Sequence, residues 1–593
     1  MDYMEVYKYW LSSPSVDDET KAELEALKDN GTEIKERFYK ELDFGTAGLR
    51  GIIAAGSNCM NIYTVRKATQ GLCEDMKNEG AQAVERGVAI SYDCRHKSYE
   101  FALESAKVLA ANGIKSYLFD ELRPTPELSF AVRHLNCARG IMITASHNPK
   151  QYNGYKAYGE DGGQLPPESA DYVVGIMRKI DIFSGVKVMD EAEAKEKGLI
   201  NIIGEEVDRE YLKNVFAQSI NRENIEKLGD DFKVIYSPFH GTGNKPVRKI
   251  LDMIGCKNVR VVKEQELPDP DFSTVKSPNP EDKEGFYIAI EMAKKEPADI
   301  IFATDPDGDR LGVIVKDANG EYMTLNGNQV GVLLYEFIVR NKKLKGTLPE
   351  NGAVIKTIVT TSMVEPIAKA YGQKVYNVLT GFKFIGEKIK EFEAGILDNE
   401  YVFGFEESYG YLAGTYCRDK DAVVAAMLVT EMAADYKTKG MTLYDGLCAL
   451  YEKYGCFLEG LKTLTLTGID GAEQIKGIMD KFRSNPPTQY AGMKVLRLWD
   501  VEKGTITDIE SGKSEKLNLP KSNVLKFEME NNCWFAVRPS GTEPKIKFYF
   551  GVNEPDMASS KAKIELCEKE LEKLIKEVEK KMRKAAADLN FEA

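Results

Sequence analysis

The sequence predicts an α/β protein of several domains, three built on one plan and a last one of α+β type. Three observations carry this. Short apolar runs alternate with segments of helical spacing, the pattern of βαβ units and a largely parallel sheet. That alternation occurs three times along the chain, although the three stretches share little sequence. In the final stretch strands follow one another without intervening helices, and a long charged helix closes the chain. At roughly 150 residues per domain, 593 residues also suggest about four domains.

The elements follow in order. The first forty residues have helical spacing and many charges. Gly87–Ser91 and Gly140–Thr144 read as strands, each followed by a polar or Gly-rich loop, with a helix over Ser98–Asn112 between them. A second set holds a strand at Phe232–Tyr236, a helix at Lys245–Ile254 and a strand at Asp299–Ala303. A third holds Ala353–Thr357, a helix near Ser362–Ala370, and Lys374–Val378. In the last stretch Leu461–Thr467, Gly492–Trp499, Trp534–Val537 and Lys545–Gly551 read as strands. In the closing helix Cys567, Leu571, Leu574, Ile575, Val578 and Met582 form one apolar stripe, read as packing on its own sheet rather than on a coiled-coil partner. The divisions are placed at 1–205, 206–325, 326–458 and 459–593.

Composition narrows the function. Hydrophobic residues make up 43% and charged residues 29%, so a disordered, fibrous or small disulfide-rich chain is excluded. A formal charge of −13 speaks against non-specific binding to nucleic acid or anionic membrane. An anionic substrate would therefore need a local cluster of Arg and Lys. The ten cysteines are scattered without a CxxC and there are four histidines, which argues against a zinc site. The N-terminus has no apolar h-region, and the run Ala422–Val429 is far short of a membrane span, so a cytoplasmic protein is expected.

Four segments carry chemistry. Thr144-Ala145-Ser146-His147-Asn148-Pro149 follows an apolar strand, and Pro149 turns the chain so that Ser146 is presented at the strand's C-terminal end, where α/β sheets bind ligands. Ser146 alone reads as a cap or turn former rather than a nucleophile. No GxSxG elbow supports a serine hydrolase, and neighbouring residues such as Ser146 and His147 rarely face each other. Asp305-Pro306-Asp307-Gly308-Asp309-Arg310 places three carboxylates in five residues, which repel unless a cation lies between them. A hard divalent ion, Mg²⁺ rather than Ca²⁺, suits them. An EF-hand fails because its Gly position holds Arg310 and its twelfth position Lys316. Arg310 beside an ion points to phosphate. Gly404–Gly410 contains Glu406, Glu407 and Ser408, suited to sugar hydroxyls or to a helix start. Arg538-Pro539-Ser540-Gly541-Thr542-Glu543-Pro544-Lys545 reads as an anion cradle or a hairpin turn.

Together these segments resemble the α-D-phosphohexomutase family, and within it the long phosphoglucomutase and phosphopentomutase type. The resemblance spans nearly the whole chain: DFGTAGLRG at Asp43–Gly51, YDCR at Tyr92–Arg95, TASHNPKQYNGYK at Thr144–Lys156 and SPFHGTG at Ser237–Gly243. It continues through PDPDF at Pro268–Phe272, DPDGDR, TGFKFIG at Thr380–Gly386, GFEESYG and RPSGTEPK, in family order. It implies three related α/β domains with mixed sheets plus a C-terminal α+β domain around a central cleft. It also implies that Ser146 is carried as phosphoserine and that Asp305, Asp307 and Asp309 bind Mg²⁺ together with the Ser146 oxygen. Glu406 and Ser408 would hold sugar hydroxyls, with Thr380, Gly381 and Lys383 in the loop that distinguishes two substrate orientations. Arg538, Ser540, Gly541, Thr542 and Lys545 would hold the non-reacting phosphate. Arg50, Arg95, Lys156 and Arg310 would be cations near the reacting centre, with Arg95 contacting substrate and Lys156 a candidate acid/base if its pKa is lowered. His147 would bond the serine loop or substrate, and His240 is read as structural. Some bacterial relatives carry a histidine two residues after the sugar-loop serine; here Gly410 stands there.

The implied activity is reversible interconversion of glucose 1-phosphate and glucose 6-phosphate through a phosphoserine enzyme, with glucose 1,6-bisphosphate as intermediate and activator. Phosphopentomutase, phosphomannomutase and glucose-1,6-bisphosphate synthase are alternatives within the family. A catalytically silent binding relative and a metal-dependent phosphatase are alternatives outside it. Sugar phosphates are the expected partners, and a monomer is the expected state.

Overall fold

The computed structural model describes residues 2–589 except 43, 46, 47, 467 and 541–544. The first three sheets share one strand order. In the first, Val88–Tyr92 is flanked by Ser116–Phe119 and Arg139–Ile143, all parallel, and Tyr152–Tyr158 then runs antiparallel beside Arg139–Ile143. The second repeats this with Lys233–Ser237, Asn258–Val261, Ile300–Thr304 and antiparallel Leu311–Lys316. The third repeats it again with Gly352–Thr357, Lys374–Val378, Glu400–Glu406 and antiparallel Gly410–Leu412. The largely parallel sheets read from the apolar runs are thus mixed. A buried third strand turns back through a short loop, which the alternation of strand and helix could not reveal.

That shared hairpin positions the chemistry. The turn between third and fourth strands holds Ser146 in the first sheet, Asp305–Asp309 in the second and Glu406–Ser408 in the third. Helices cover the sheets. Ser98–Ala111, Asn244–Met253 and Val364–Tyr371 follow the first strand of each, and Thr125–His134, Tyr287–Lys295 and Phe382–Glu393 lead into the third. The run Ala422–Val429 opens the helix Ala422–Lys437, buried over nearly its whole length because it packs between the second and third sheets. One apolar core accordingly runs from Ala89 through Phe302 and Leu333 to Phe457.

The last sheet is antiparallel, ordered Cys456–Thr465, Lys545–Glu554, Trp534–Pro539, Leu525–Met529 and Met493–Asp500 at its centre. Its core is separate, with Phe527 stacked on Phe535 at 4.3 Å and Phe535 on Tyr490 at 4.3 Å. The closing helix Met557–Leu589 lays Cys567 and Leu571 into this core and packs on the strands Cys456–Thr465 and Lys545–Glu554. From Cys567 to Ile575 it lies on its own sheet, as its stripe predicts; the side chains of Val578 and Met582 lie outside those described. No described helix is long and apolar enough to cross a membrane.

Candidate active site

The serine turn is fixed from below. Asp93, at the end of the first strand, accepts from Thr144 Oγ1 (2.6 Å), Ser98 Oγ (2.7 Å) and the Arg95 backbone N–H (2.9 Å). Thr144 Oγ1 accepts the Ser146 N–H at 2.8 Å. Ser146 sits at φ 53°, in the left-handed region, a strained conformation for a non-Gly residue. That kink breaks the alternation that would put neighbours on opposite sides, and His147 Nδ1 lies 3.2 Å from Ser146 Oγ. The expectation that these two residues face apart fails for this reason. Burial, with Arg310 and Arg50 nearby, holds His147 well below the ordinary imidazole range, so it is neutral.

Arg95 corrects another expectation. Its NH1 donates to Pro149 O (2.9 Å) and Tyr152 O (3.1 Å), and its NH2 to Ser146 O (2.6 Å) and Asn148 O. Its Nε lies 3.2 Å from Asp93. The guanidinium is consumed in clamping the serine loop, so Arg95 is a loop clamp rather than a substrate contact. Arg50, in the strand Gly48–Ile52, remains solvent-accessible and reaches Asn148 Oδ1 at 3.2 Å.

The aspartate turn meets the serine turn directly. Ser146 Oγ donates to Asp305 Oδ2 at 3.0 Å. Asp305 Oδ1 accepts the N–H groups of Asp309 and Arg310, both at 3.0 Å, which curls the loop on itself. One oxygen from each of Asp305, Asp307 and Asp309 lies within 4.8 Å of the others, all buried. Asp307 Oδ1 and Asp309 Oδ1 are buried and accept no hydrogen bond from a described group. Converging hard oxygens with unspent lone pairs fit a divalent ion of Mg²⁺ type.

Cations enclose the trio. Lys156 Nζ is 2.9 Å from Asp307 Oδ2 and 3.6 Å from Asp309 Oδ2. Arg310 Nε is 3.8 Å from Asp309, and its NH1 is 2.9 Å from Glu281 Oε1. Burial and the neighbouring Asp307 and Asp309 push Asp305 well above the usual carboxylate range. Asp307, although buried, is held below it by Lys156. Burial acts to lower Lys156, but Asp307 and Asp309 outweigh it and the net shift is upward. Lys156 is therefore an ammonium, contrary to the lowered pKa that a base would need.

Sequence reasoning missed two partners. Lys420 Nζ lies 2.9 Å from Asp309 Oδ2 and 3.4 Å from Asp419 Oδ1. It passes through the space left by Gly410, where a Cβ would stand 2.2 Å from Lys420 Cδ. A histidine at position 410 would displace this lysine. The signal was available: Arg418-Asp419-Lys420-Asp421 is a dense charge run set against the apolar start of a helix, and all four residues are buried. Glu281, the Arg310 partner, opens a similar charge run, Glu281-Asp282-Lys283-Glu284.

In the sugar-loop candidate, Glu406 Oε1 accepts the Gly381 N–H at 2.7 Å, so the Thr380–Lys383 loop and the Glu406 turn meet. Burial, then Glu407, pushes Glu406 up to about 7. Ser408 is half-buried at the turn. Lys383 is lowered by burial and feels Glu387 and Asp171. In the last sheet Arg538 stands opposite Lys547, and the Ser540 N–H donates to Lys545 O at 2.8 Å. Lys547 is lowered by burial and by Arg538, and feels Glu407, Glu281 and Arg310, so this face of the sheet is turned toward the Glu407 turn and the Arg310 loop. Gly541 and Thr542 lie outside the described residues. His240 bonds Leu267 O (2.9 Å) and Thr274 Oγ1 (2.8 Å) through its two ring nitrogens, a structural tie.

A buried serine in direct contact with an aspartate trio that cations enclose, on a thrice-repeated α/β plan, defines a phosphoryl-transfer enzyme. Family models for phosphoglucomutase/phosphomannomutase α/β/α domains I, II and III match residues 41–182, 209–320 and 326–454. The chain belongs to this family, the α-D-phosphohexomutases, and is an intramolecular phosphotransferase, an isomerase. It is 39% identical over 522 residues to a phosphoglucomutase of Staphylococcus epidermidis, covering 88% of this chain and 92% of that one. It is 37% identical over 540 residues to one of Staphylococcus aureus, covering 90% and 94%. In fold it resembles a putative phosphomannomutase of Thermus thermophilus (TM-score 0.66, 22% identity, covering 91% and 99%). It also resembles the open form of the Paramecium phosphoglucomutase parafusin (TM-score 0.66, 18% identity, covering 91% and 96%).

Proposed function

We propose that the protein is a phosphoglucomutase that interconverts glucose 1-phosphate and glucose 6-phosphate through phospho-Ser146. The observation that carries this is Ser146 Oγ at 3.0 Å from Asp305, two domains meeting at the one atom that must give and take a phosphoryl group. Two relatives of more than one-third identity that bear the phosphoglucomutase name support the substrate.

The residues divide the work as follows. Asp305, Asp307, Asp309 and the Ser146 oxygen would hold Mg²⁺, which when bound screens the serine phosphoryl charge. Lys156, Lys420 and Arg310 balance the three aspartates, so the ion and a phosphoserine of about −2 can be added together without net gain of charge. In the forward step the bond from phosphorus to Ser146 Oγ breaks and one to the free sugar hydroxyl forms; the proton that the hydroxyl gives up is matched by the one that the departing Ser146 oxygen takes up. Neutral His147 beside Ser146 Oγ is placed to exchange a proton with the serine oxygen, whereas Lys156 as an ammonium stabilises charge. Glu406 and Ser408 hold ring hydroxyls, with Thr380, Gly381 and Lys383 around them. Arg538, Ser540, Thr542 and Lys545 hold the distal phosphate. The bisphosphate, glucose 1,6-bisphosphate, then reverses its ends and returns its other phosphoryl group to Ser146. The same bisphosphate would prime an unphosphorylated enzyme.

The test is ³¹P NMR of the protein with Mg²⁺ and a trace of glucose 1,6-bisphosphate. Glucose 1-phosphate, mannose 1-phosphate and ribose 1-phosphate are offered separately, with Ser146→Ala as control. Conversion of glucose 1-phosphate to glucose 6-phosphate, lost in the control, is expected. Inorganic phosphate as main product, or turnover of ribose 1-phosphate alone, overturns it.

A further inference from the structure

A buried lysine joins the last domain to the sugar-holding turn. Lys526 lies in the strand Leu525–Met529, with Trp499 and Ala536 opposite it on the adjoining strands. Only 5% of it is exposed. Its Nζ donates to Ile358 O at 2.7 Å and sits 4.7 Å from the Trp534 ring and 5.6 Å from the Trp499 ring. The charged groups around it are Lys356, Glu528 and Glu365. Lys356 is itself engaged, 3.2 Å from Glu365 and 3.3 Å from Thr360 O. Burial and Lys356 bring Lys526 down to about 7.

The acceptor of this bond belongs to a loop that already touches the site. Ile358 lies between Thr357 and Thr360, whose hydroxyls meet at 2.8 Å and reach Glu407 Oε2 at 3.0 and 3.1 Å. Glu407 adjoins Glu406. Around the bond an apolar seam packs Ile358, Val359 and Leu379 against Val524, Trp534 and Tyr549 of the last domain. An amine in such a seam is costly, and an apolar chain of its length would fill the space at no electrostatic cost. What the amine adds is a directional bond to the loop that positions Glu407.

We propose that Lys526 is a positioning residue: it seats the last domain on residues 357–361 and, through Thr357 and Thr360, passes that seat to Glu407 and the sugar contact at Glu406. The seating of the strand Trp534–Pro539, which pairs with Lys526 at Ala536 and carries Arg538, is thereby coupled to the sugar turn. The inference rests on the reading of Glu406 and the Arg538 loop as holding opposite ends of one sugar phosphate.

The experiment compares full-length wild type with Lys526→Met, Lys526→Arg and Thr357→Val. Hydrogen exchange in the free protein reads the coupling, and steady-state kinetics with glucose 1-phosphate reads its use. In Lys526→Met, exchange at 357–361 and at the 406–410 turn quickens although the substitution is in another domain. KM rises about tenfold with kcat little changed. Lys526→Arg keeps a donor and restores part of KM. The double variant Lys526→Met/Thr357→Val is no worse than the poorer single variant, because both break one path. Unchanged exchange and KM in Lys526→Met with only a lower melting temperature, or fully additive effects in the double variant, overturn the proposal. If wild type converts none of the sugar phosphates offered, the functional reading fails on its own account, and exchange at 357–361 still decides the coupling.

Discussion

Glu406 is nearly dry, shares its turn with Glu407, and reaches about 7 where an ordinary glutamate has 4.5. Unfolded chains lose that proton near 4.5 and the folded chain near 7, so folding stability falls as pH rises between these values and is level above. Glu406→Gln lacks the loss. Its melting temperature relative to wild type is expected to climb between pH 4.5 and 7, measured by scanning calorimetry without substrate, while its KM for sugar phosphate worsens. Gly410 makes a second case. It was legible as a departure from relatives with histidine, but its reason lies in a residue ten positions on, since the Lys420 stem fills the space beside it. Gly410→Ala is expected to keep the fold and lower kcat about 10- to 100-fold by moving the Lys420 ammonium off Asp309. The trio Asp305, Asp307 and Asp309 could be read from local spacing because that turn carries its own chemistry, whereas Ser146 and Glu406 took their roles only from the family resemblance. Lys420 and Glu281 lie in charge runs that could draw attention to them, but neither run names its partner, because Asp309 and Arg310 are brought to them by other parts of the fold. The true task of Arg95, clamping carbonyls of residues 146–152, is likewise invisible in the run Tyr92–Arg95.

At the scale of elements, strands and helices were legible to within a residue or two where apolar runs are bounded by polar loops. Lys374–Val378 is the strand as read, and Ser98–Asn112 ends one residue later than the helix Ser98–Ala111. The strand read as starting at Leu461 begins at Cys456, because Glu459 and Gly460 interrupt its apolar pattern. Glu459 is nonetheless buried and pushed up to about 7 by that burial. The hairpin in each α/β sheet was not legible: in the third sheet its fourth strand, Gly410–Leu412, is too brief to show a period, and in the first two the alternation of strand and helix gives no sign of an antiparallel return. These hairpins set strict backbone demands. Gly308 has φ +64°, and a Cβ there would lie 2.8 Å from Pro124 Cβ and 2.9 Å from Thr242 Oγ1. Gly308→Ala is expected to cost about 1–3 kcal/mol in chemical denaturation. It should also weaken Mg²⁺ activation by displacing Asp307, whose carbonyl and carboxylate are bound by Thr125.

The whole molecule joins two kinds of core. One is continuous across the three α/β sheets, bound further by polar ties such as Tyr158–Asp419 (2.9 Å) and Tyr211–Asp421 (2.9 Å). The other belongs to the last sheet and meets the rest through the seam at Ile358 and Trp534. Calorimetry is therefore expected to resolve two transitions, the smaller assigned to residues after 456, and a single transition with equal calorimetric and van't Hoff enthalpies contradicts this. The architecture also answers the overall acidity: in a chain of formal charge −13, Lys156, Lys420 and Arg310 are gathered around the aspartate turn. The central claim is that Ser146 Oγ carries the phosphoryl group between the two ends of the sugar. The most direct measurement is peptide mass spectrometry of the dephosphorylated protein after incubation with Mg²⁺ and glucose 1,6-bisphosphate, then after a chase with glucose 1-phosphate. The account predicts one phosphoryl group on the peptide holding Ser146, lost on the chase as bisphosphate forms in equal amount. Label on another residue, or loss of the label to inorganic phosphate, contradicts it.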